Sequence, residues 1–185
     1  SEMCIRDRDN TVPNFASGYP YMSKITSTSG QVTTMATKSC RLYWAVLPKG
    51  ASAPTANDFK ANAVSGNLGF GTLDVTKNVS NTFDVNNVPL EELESYDLYL
   101  WLTDVDGGQS SAVKKVSFTT VDGTPPRFNT NPTVNKVNAT SVGLYANLNE
   151  AGTLYWVVVK EGEEYPKPLA GQSGKVDLSS DNAKL

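Results

Sequence analysis

The sequence predicts an all-β chain: an antiparallel β-sandwich with a short helical insertion, followed by a truncated second copy of the same fold. Three observations carry this expectation. Apolar and polar residues alternate in short blocks, the period-2 signature of strands with one face buried. Turn residues separate the blocks, and only one stretch has helical character. The chain also repeats itself at a fixed offset, as whole tandem domains do.

Taken in order, Val32, Thr34 and Ala36 alternate with their neighbours as the inward set of one strand. Leu42, Trp44 and Val46 form the inward set of the next, closed by the turn residues Pro48, Lys49 and Gly50. The stretch Thr55 to Ala63 follows Pro54 and reads as the helix, with Phe59 as its one large apolar contact. Gly71 to Thr76 and Thr82 to Val85 are two further short strands. Tyr96, Leu98, Leu100 and Leu102 give the cleanest period-2 stripe in the chain. A hairpin turn at Asp106, Gly107 and Gly108 leads into a last strand from Val113 to Thr120, with Val116 and Phe118 inward. About seven short strands with turns between them predict a sandwich. Trp44 on the third strand and Tyr96 at the start of the sixth are expected in its core. Leu90 followed by Tyr96 has the spacing of a tyrosine corner, in which the phenol bonds back to nearby backbone.

The repeat appears on adding 112 to a residue number. Pro20, Lys24, Thr28 and Ser29 become Pro132, Lys136, Thr140 and Ser141. Leu42, Tyr43, Trp44 and Val46 become Leu154, Tyr155, Trp156 and Val158, and Gly50 and Pro54 become Gly162 and Pro166. Further on, Gly71, Leu73, Asp74 and Val75 match Gly174, Val176, Asp177 and Leu178 if the second copy is nine residues shorter. Upstream, Thr11, Pro13 and Phe15 echo Thr124, Pro126 and Phe128, after Asp9 and Asp122. The expected domains are a complete repeat over 9–120, a Pro-containing linker over 121–126 and a truncated repeat over 127–185, with Trp156 a core residue of the second copy. The second copy has no counterpart of Thr82 to Thr120, so the parent chain is expected to continue. Residues 1–8 form a charged leader without the apolar run of a signal peptide. They resemble the translated adapter-like stretches at the edges of metagenomic reading frames and are read as non-native. Cys40 then has no partner in Cys4.

Composition narrows the function classes. The chain of 185 residues is 39% hydrophobic and 19% charged, which suffices for packed cores. It contains no histidine, so a Ser-His-Asp triad, a Cys-His pair and every His-containing zinc site are excluded. Sixteen basic against nineteen acidic residues give a net charge of −3, which argues against a nucleic-acid surface. No apolar run approaches the ~20 residues of a membrane span.

With these residues on the page, the chain resembles a family of tandem repeats on Gram-positive surface proteins. The resemblance rests on Asp9–Thr11–Pro13–Phe15 through Gly18, Tyr19 and Pro20, on Leu42–Tyr43–Trp44 through Pro54, and on Tyr96–Asp104–Gly107–Thr120. These are immunoglobulin-like or fibronectin type III-like modules, often found in chains that also carry S-layer homology domains. Gln109 stands where the type III ending usually has Asn, so the subtype stays open. The resemblance implies an extracellular, cell-surface, structural or adhesive spacer without catalysis, cofactor or metal. Its partners would be neighbouring repeats and wall or extracellular glycan or protein. The alternative is a carbohydrate-binding accessory module of a secreted glycan-degrading enzyme.

The candidate binding residues are aromatic. If Trp44 and Tyr96 face inward, alternation turns Tyr43, Tyr99 and Trp101 outward, and neighbouring strands would gather them into one exposed patch. Such a patch can stabilise the sheet through cross-strand pairs, dock a partner module or stack on sugar rings. Acidic positions offer less. Asp104, Asp106 and Gly107 resemble the start of a calcium loop, but the twelfth position, which should be Glu, is Lys115. Glu91, Glu92 and Glu94 read as solvated loop charge, as do Glu161, Glu163 and Glu164, which align with Lys49, Ala51 and Ser52. Gly66, Gly69 and Gly71 follow no strand-to-helix order and do not form a phosphate loop.

Overall fold

The computed structural model describes residues 10–106, 108–162 and 164, together with the backbone of two strands at 173–178 and 183–184. The leader with Cys4, and Asp9, Gly107, Glu163 and Pro166, lie outside the described residues. The chain divides into two compact units, 1–123 and 124–185. Among the described residues no helix is long and apolar enough to cross a membrane.

The first unit holds β1 (Tyr21–Ser23), β2 (Gly30–Thr34), β3 (Cys40–Pro48), α1 (Ala56–Lys60), β4 (Gly69–Val75), β5 (Asn81–Val85), β6 (Ser95–Thr103) and β7 (Lys114–Thr119). One antiparallel sheet has the order β1-β2-β5 and the other β4-β3-β6-β7. Their inner faces meet in one core. Val32 and Val85 come from the small sheet, and Leu42, Val46, Leu98, Leu100 and Leu102 from the large one, all fully buried. The unit is therefore a β-sandwich, with each inward set placed by the alternation of its own strand.

Trp44 sits at the margin of this core. Half buried, it stacks on Phe83 across the two sheets with ring centroids 5.6 Å apart. Its strand partner is Gly71, and a Cβ there would lie 2.7 Å from the indole. Only glycine leaves room for the ring to lie flat on β4.

Tyr96 is buried, and its phenol oxygen accepts the Glu91 N–H at 2.8 Å, closing the tyrosine corner. The loop is latched a second time by buried Thr120. Its hydroxyl accepts from Glu94 N–H at 3.0 Å and donates to Glu91 O at 2.6 Å. The crossing from β5 to β6 is thus tied both to the start of β6 and to the end of β7.

The helix is shorter than the expected Thr55 to Ala63. Thr55 caps it in a reciprocal box: Asp58 N–H donates to Thr55 Oγ1, and Thr55 N–H donates to Asp58 Oδ2 at 2.7 Å. The Thr55 hydroxyl also donates to Asp58 Oδ2 at 2.7 Å, and this bond, with the one from Thr55 N–H, holds the Asp58 carboxyl below its ordinary pKa. The helix stops at Ala61, and Asn62 turns the chain at φ 51°.

The second unit holds β8 (Phe128–Asn135), β9 (Gly143–Leu148), β10 (Gly152–Val157), β11 (Ser173–Leu178) and β12 (Ala183–Lys184), in sheets of order β12-β9-β8 and β10-β11. Its pairings follow those of the first unit residue by residue. Met22 pairs Val32, and Val134 pairs Leu144. Trp44 pairs Gly71, and Trp156 pairs Gly174; Arg41 pairs Asp74, and Thr153 pairs Asp177. Thr34 pairs Asn81, and Ala146 pairs Ala183. The left-handed residues Lys24 and Lys136 also correspond, as do Gly50 and Gly162. Trp156 itself is half buried, and Leu154 beside it is buried.

Replacing Tyr96 with Phe leaves the ring in the core and removes the acceptor of the Glu91 N–H. It should destabilise the first unit by about 1–2 kcal/mol, read as a lower denaturant midpoint with an unchanged slope.

Candidate functional site

The outward face of the large sheet is where the sequence places its binding patch. Register sets Tyr43 opposite Trp101 and Ala45 opposite Tyr99, so the three rings do share one face. They are not an exposed platform. Tyr99 is 5% exposed and Trp101 4%, and only Tyr43 remains half exposed. The expectation of an exposed patch is corrected here, and the cause is the insertion between β3 and β4.

That insertion folds back over the sheet and lays α1 on it. Phe59, fully buried, stacks on Trp101 at 6.2 Å and 18° and on Phe70 at 6.2 Å and 28°. Tyr43 leans on Trp101 at 5.4 Å and on Phe70 at 6.3 Å. Ala45, Leu47 and Val64 complete a second apolar cluster, separate from the core between the sheets. Cross-strand aromatic pairing and helix cover therefore account for the rings. The signal was present in β6 itself. Tyr99, Leu100, Trp101 and Leu102 form an unbroken apolar run, the pattern of a strand buried on both faces rather than one.

At the end of this face, Arg41, Tyr43, Asn57, Lys60, Trp101 and Thr103 line an open groove of about 450 Å³, with the β6–β7 loop on its far side. Its charges are tied into the fold. Arg41 donates to Asp74 on the paired strand at 2.9 Å. Lys38 forms an ion pair with buried Asp104 at 2.9 Å and donates to Thr11 O at 3.0 Å. Asp104 thereby joins the end of β6 to the segment ahead of β1. Asp106 accepts the Gly108 N–H at 3.4 Å within the hairpin turn. Among the described residues no three potential metal ligands cluster.

The remaining acidic candidates also lie in structural positions. Glu91 and Glu94 serve the corner and its latch through their backbones, and the Glu92 carboxylate accepts the Gly123 N–H at 2.9 Å. Glu161 and Glu164 are exposed. Gly66, at φ 69°, turns the chain, and Gly71 underlies Trp44.

Cys40 starts β3 in the sandwich core at 1% exposure. Burial, helped by the Asp104 charge and opposed by Lys38, pushes its thiol from the ordinary 9.0 up to about 11. The neutral thiol is the form the fold favours, so its contribution is complete below pH about 9 and is lost as pH rises toward about 11. Replacing Cys40 with Ala should flatten the fall in denaturation midpoint across that window relative to the parent chain.

Replacing Phe59 with Ala removes the cover of the outer cluster. It should destabilise the first unit by about 3–5 kcal/mol and move tryptophan emission to longer wavelength, while strand content by circular dichroism is kept. No family model matches this sequence, and no curated protein matches it either.

Proposed function

We propose that this chain is a non-catalytic spacer or adhesive segment of a bacterial cell-surface or secreted protein, built from tandem fibronectin type III-like modules. The observation that carries the reading is the repeated register. Two successive units use corresponding positions, offset by 112 for β1 to β3 and by 103 for β4, to build the same strand pairings. A chain that reuses one sandwich plan in series does so to gain length and a surface presented at a distance.

The strand order supports the type III subtype over the constant-type immunoglobulin one. β4 pairs with β3, whereas the fourth strand of a constant-type domain joins the sheet of the first, second and fifth. The unit also invests its chemistry in rigidity. Its large aromatics are cemented under α1, and its buried carboxylate Asp104 is paired with Lys38. With Tyr99 and Trp101 beneath the helix, a sugar-stacking platform on those rings is not part of the proposal. Neighbouring modules, and wall or extracellular partners reached by the array, are the contacts it implies.

Pulling on the intact chain by single-molecule force spectroscopy tests this. The first unit should resist as one body and open in a single step of on the order of 35–40 nm, given ~3.3–3.6 Å per extended residue. Gradual extension without a discrete step would overturn the spacer reading.

A further inference from the structure

The open groove at the end of the large sheet is lined by two residues with a buried polar atom that the fold leaves without a hydrogen bond. One atom is the indole Nε1 of Trp101, a residue 4% exposed. The other is Asp104 Oδ1, which has the Lys38 ammonium as an ion partner but accepts no hydrogen bond. Buried donors and acceptors left unmade are costly, and a ligand that completes both recovers the loss.

The two atoms have opposite needs. The indole N–H can only donate, and the carboxylate can only accept. The formal charges of the lining cancel, Arg41 and Lys60 against Asp104 and Asp106. An anionic ligand could satisfy the indole but would be repelled by the two carboxylates. A cationic one could satisfy Asp104 but would be repelled by Arg41 and Lys60. A hydroxyl both donates and accepts and carries no charge. Asn57 and Lys60, exposed on α1, add further donors, and half-exposed Tyr43 adds part of an aromatic ring on which sugar C–H groups can pack. An extended peptide has less to hold it. β3 and β6 are the inner strands of their sheet, and beside the groove Arg41 pairs with Thr103 and Tyr43 with Trp101, so no sheet edge is offered for an added strand.

We propose that this groove binds a neutral sugar unit of an extracellular glycan, with sugar hydroxyls accepting from the Trp101 N–H and donating to Asp104 Oδ1. The sugar is held by hydrogen bonds at the edge of Trp101, since Phe59 stacks on the face of that ring. The inference rests on the surface reading above for where a glycan is met, and it gives that reading a partner class.

The test titrates the isotope-labelled full chain and follows by NMR the indole N–H signals of Trp44, Trp101 and Trp156, its three tryptophans. Trp101→Phe assigns the Trp101 signal; if that variant does not fold, Trp44→Phe and Trp156→Phe assign it by elimination. The probes are the neutral β-linked tetrasaccharides of glucose and of N-acetylglucosamine at millimolar concentration. At least one should shift the Trp101 signal saturably, with a Kd on the order of 1 mM, and leave those of Trp44 and Trp156 in place. Asn57→Ala and Lys60→Ala, both at exposed positions, should each weaken binding by on the order of 5-fold. A Trp101 signal that moves with neither tetrasaccharide overturns the proposal. So does a shift seen only with tetragalacturonic acid, which would make the groove an anion site, or only with blocked tetraalanine, which would make it a peptide site. The titration reads the folded unit and the force measurement reads its unfolding, so the sugar site and the spacer reading can fail separately.

Discussion

The pairing of β3 with β6 is the constraint from which the rest of the first unit follows. The two strands, nine residues each, run antiparallel from Arg41 opposite Thr103 to Pro48 opposite Tyr96. β6 is buried almost along its whole length, so both of its faces must be covered. The small sheet covers the inner face. The outer face would leave Tyr99 and Trp101 in water, and the insertion carrying Phe59 answers that need. Even the buried carboxylates on these strands follow. Asp97, on the outer face, is satisfied by the Ser117 hydroxyl and by Lys115 at 3.6 Å, both from the adjoining β7. Asp104 just beyond the strand takes Lys38. A buried charge without such partners would cost several kcal/mol.

Much of this was legible in the sequence because strands with one buried face write a period of two. The inward sets of β2, β3, β6 and β7 could be read directly, as could Tyr96 as a corner residue and Phe59 as the anchor of a short helix. What escaped has a physical reason in each case. β1 is three residues long, too short to show any period. β8 is rich in Asn and contains Pro132, which falls at the register shift between Thr130 and Thr133, so its composition reads as loop. The exposed aromatic patch was misjudged because alternation tells which face a ring occupies but not whether a distant segment covers that face. The coverage of Trp101 by Phe59 is a tertiary fact, and only the unbroken apolar run of β6 hints at it.

The edges of the large sheet show the same economy of means. β7 carries Lys114 and Lys115, charges that discourage pairing with a foreign strand. β4 contains Gly69 and Gly71, each too closely approached by a neighbouring side chain to accept a Cβ without a shift. In a sandwich whose sheets have open edges, edges that resist mispairing matter as much as cores that hold.

The long sequence separation between β3 and β6 also governs the order of events as the chain leaves the ribosome. The local pairs β1–β2 and β3–β4 are available first, and β6 arrives only after the insertion and β5 have been made. In the second unit the corresponding pairs β8–β9 and β10–β11 are likewise short-range in sequence. The first unit therefore passes, as it is made, through a stage in which the apolar face of β3 awaits β6. The length of chain from Cys40 to Thr103 sets how long that stage lasts.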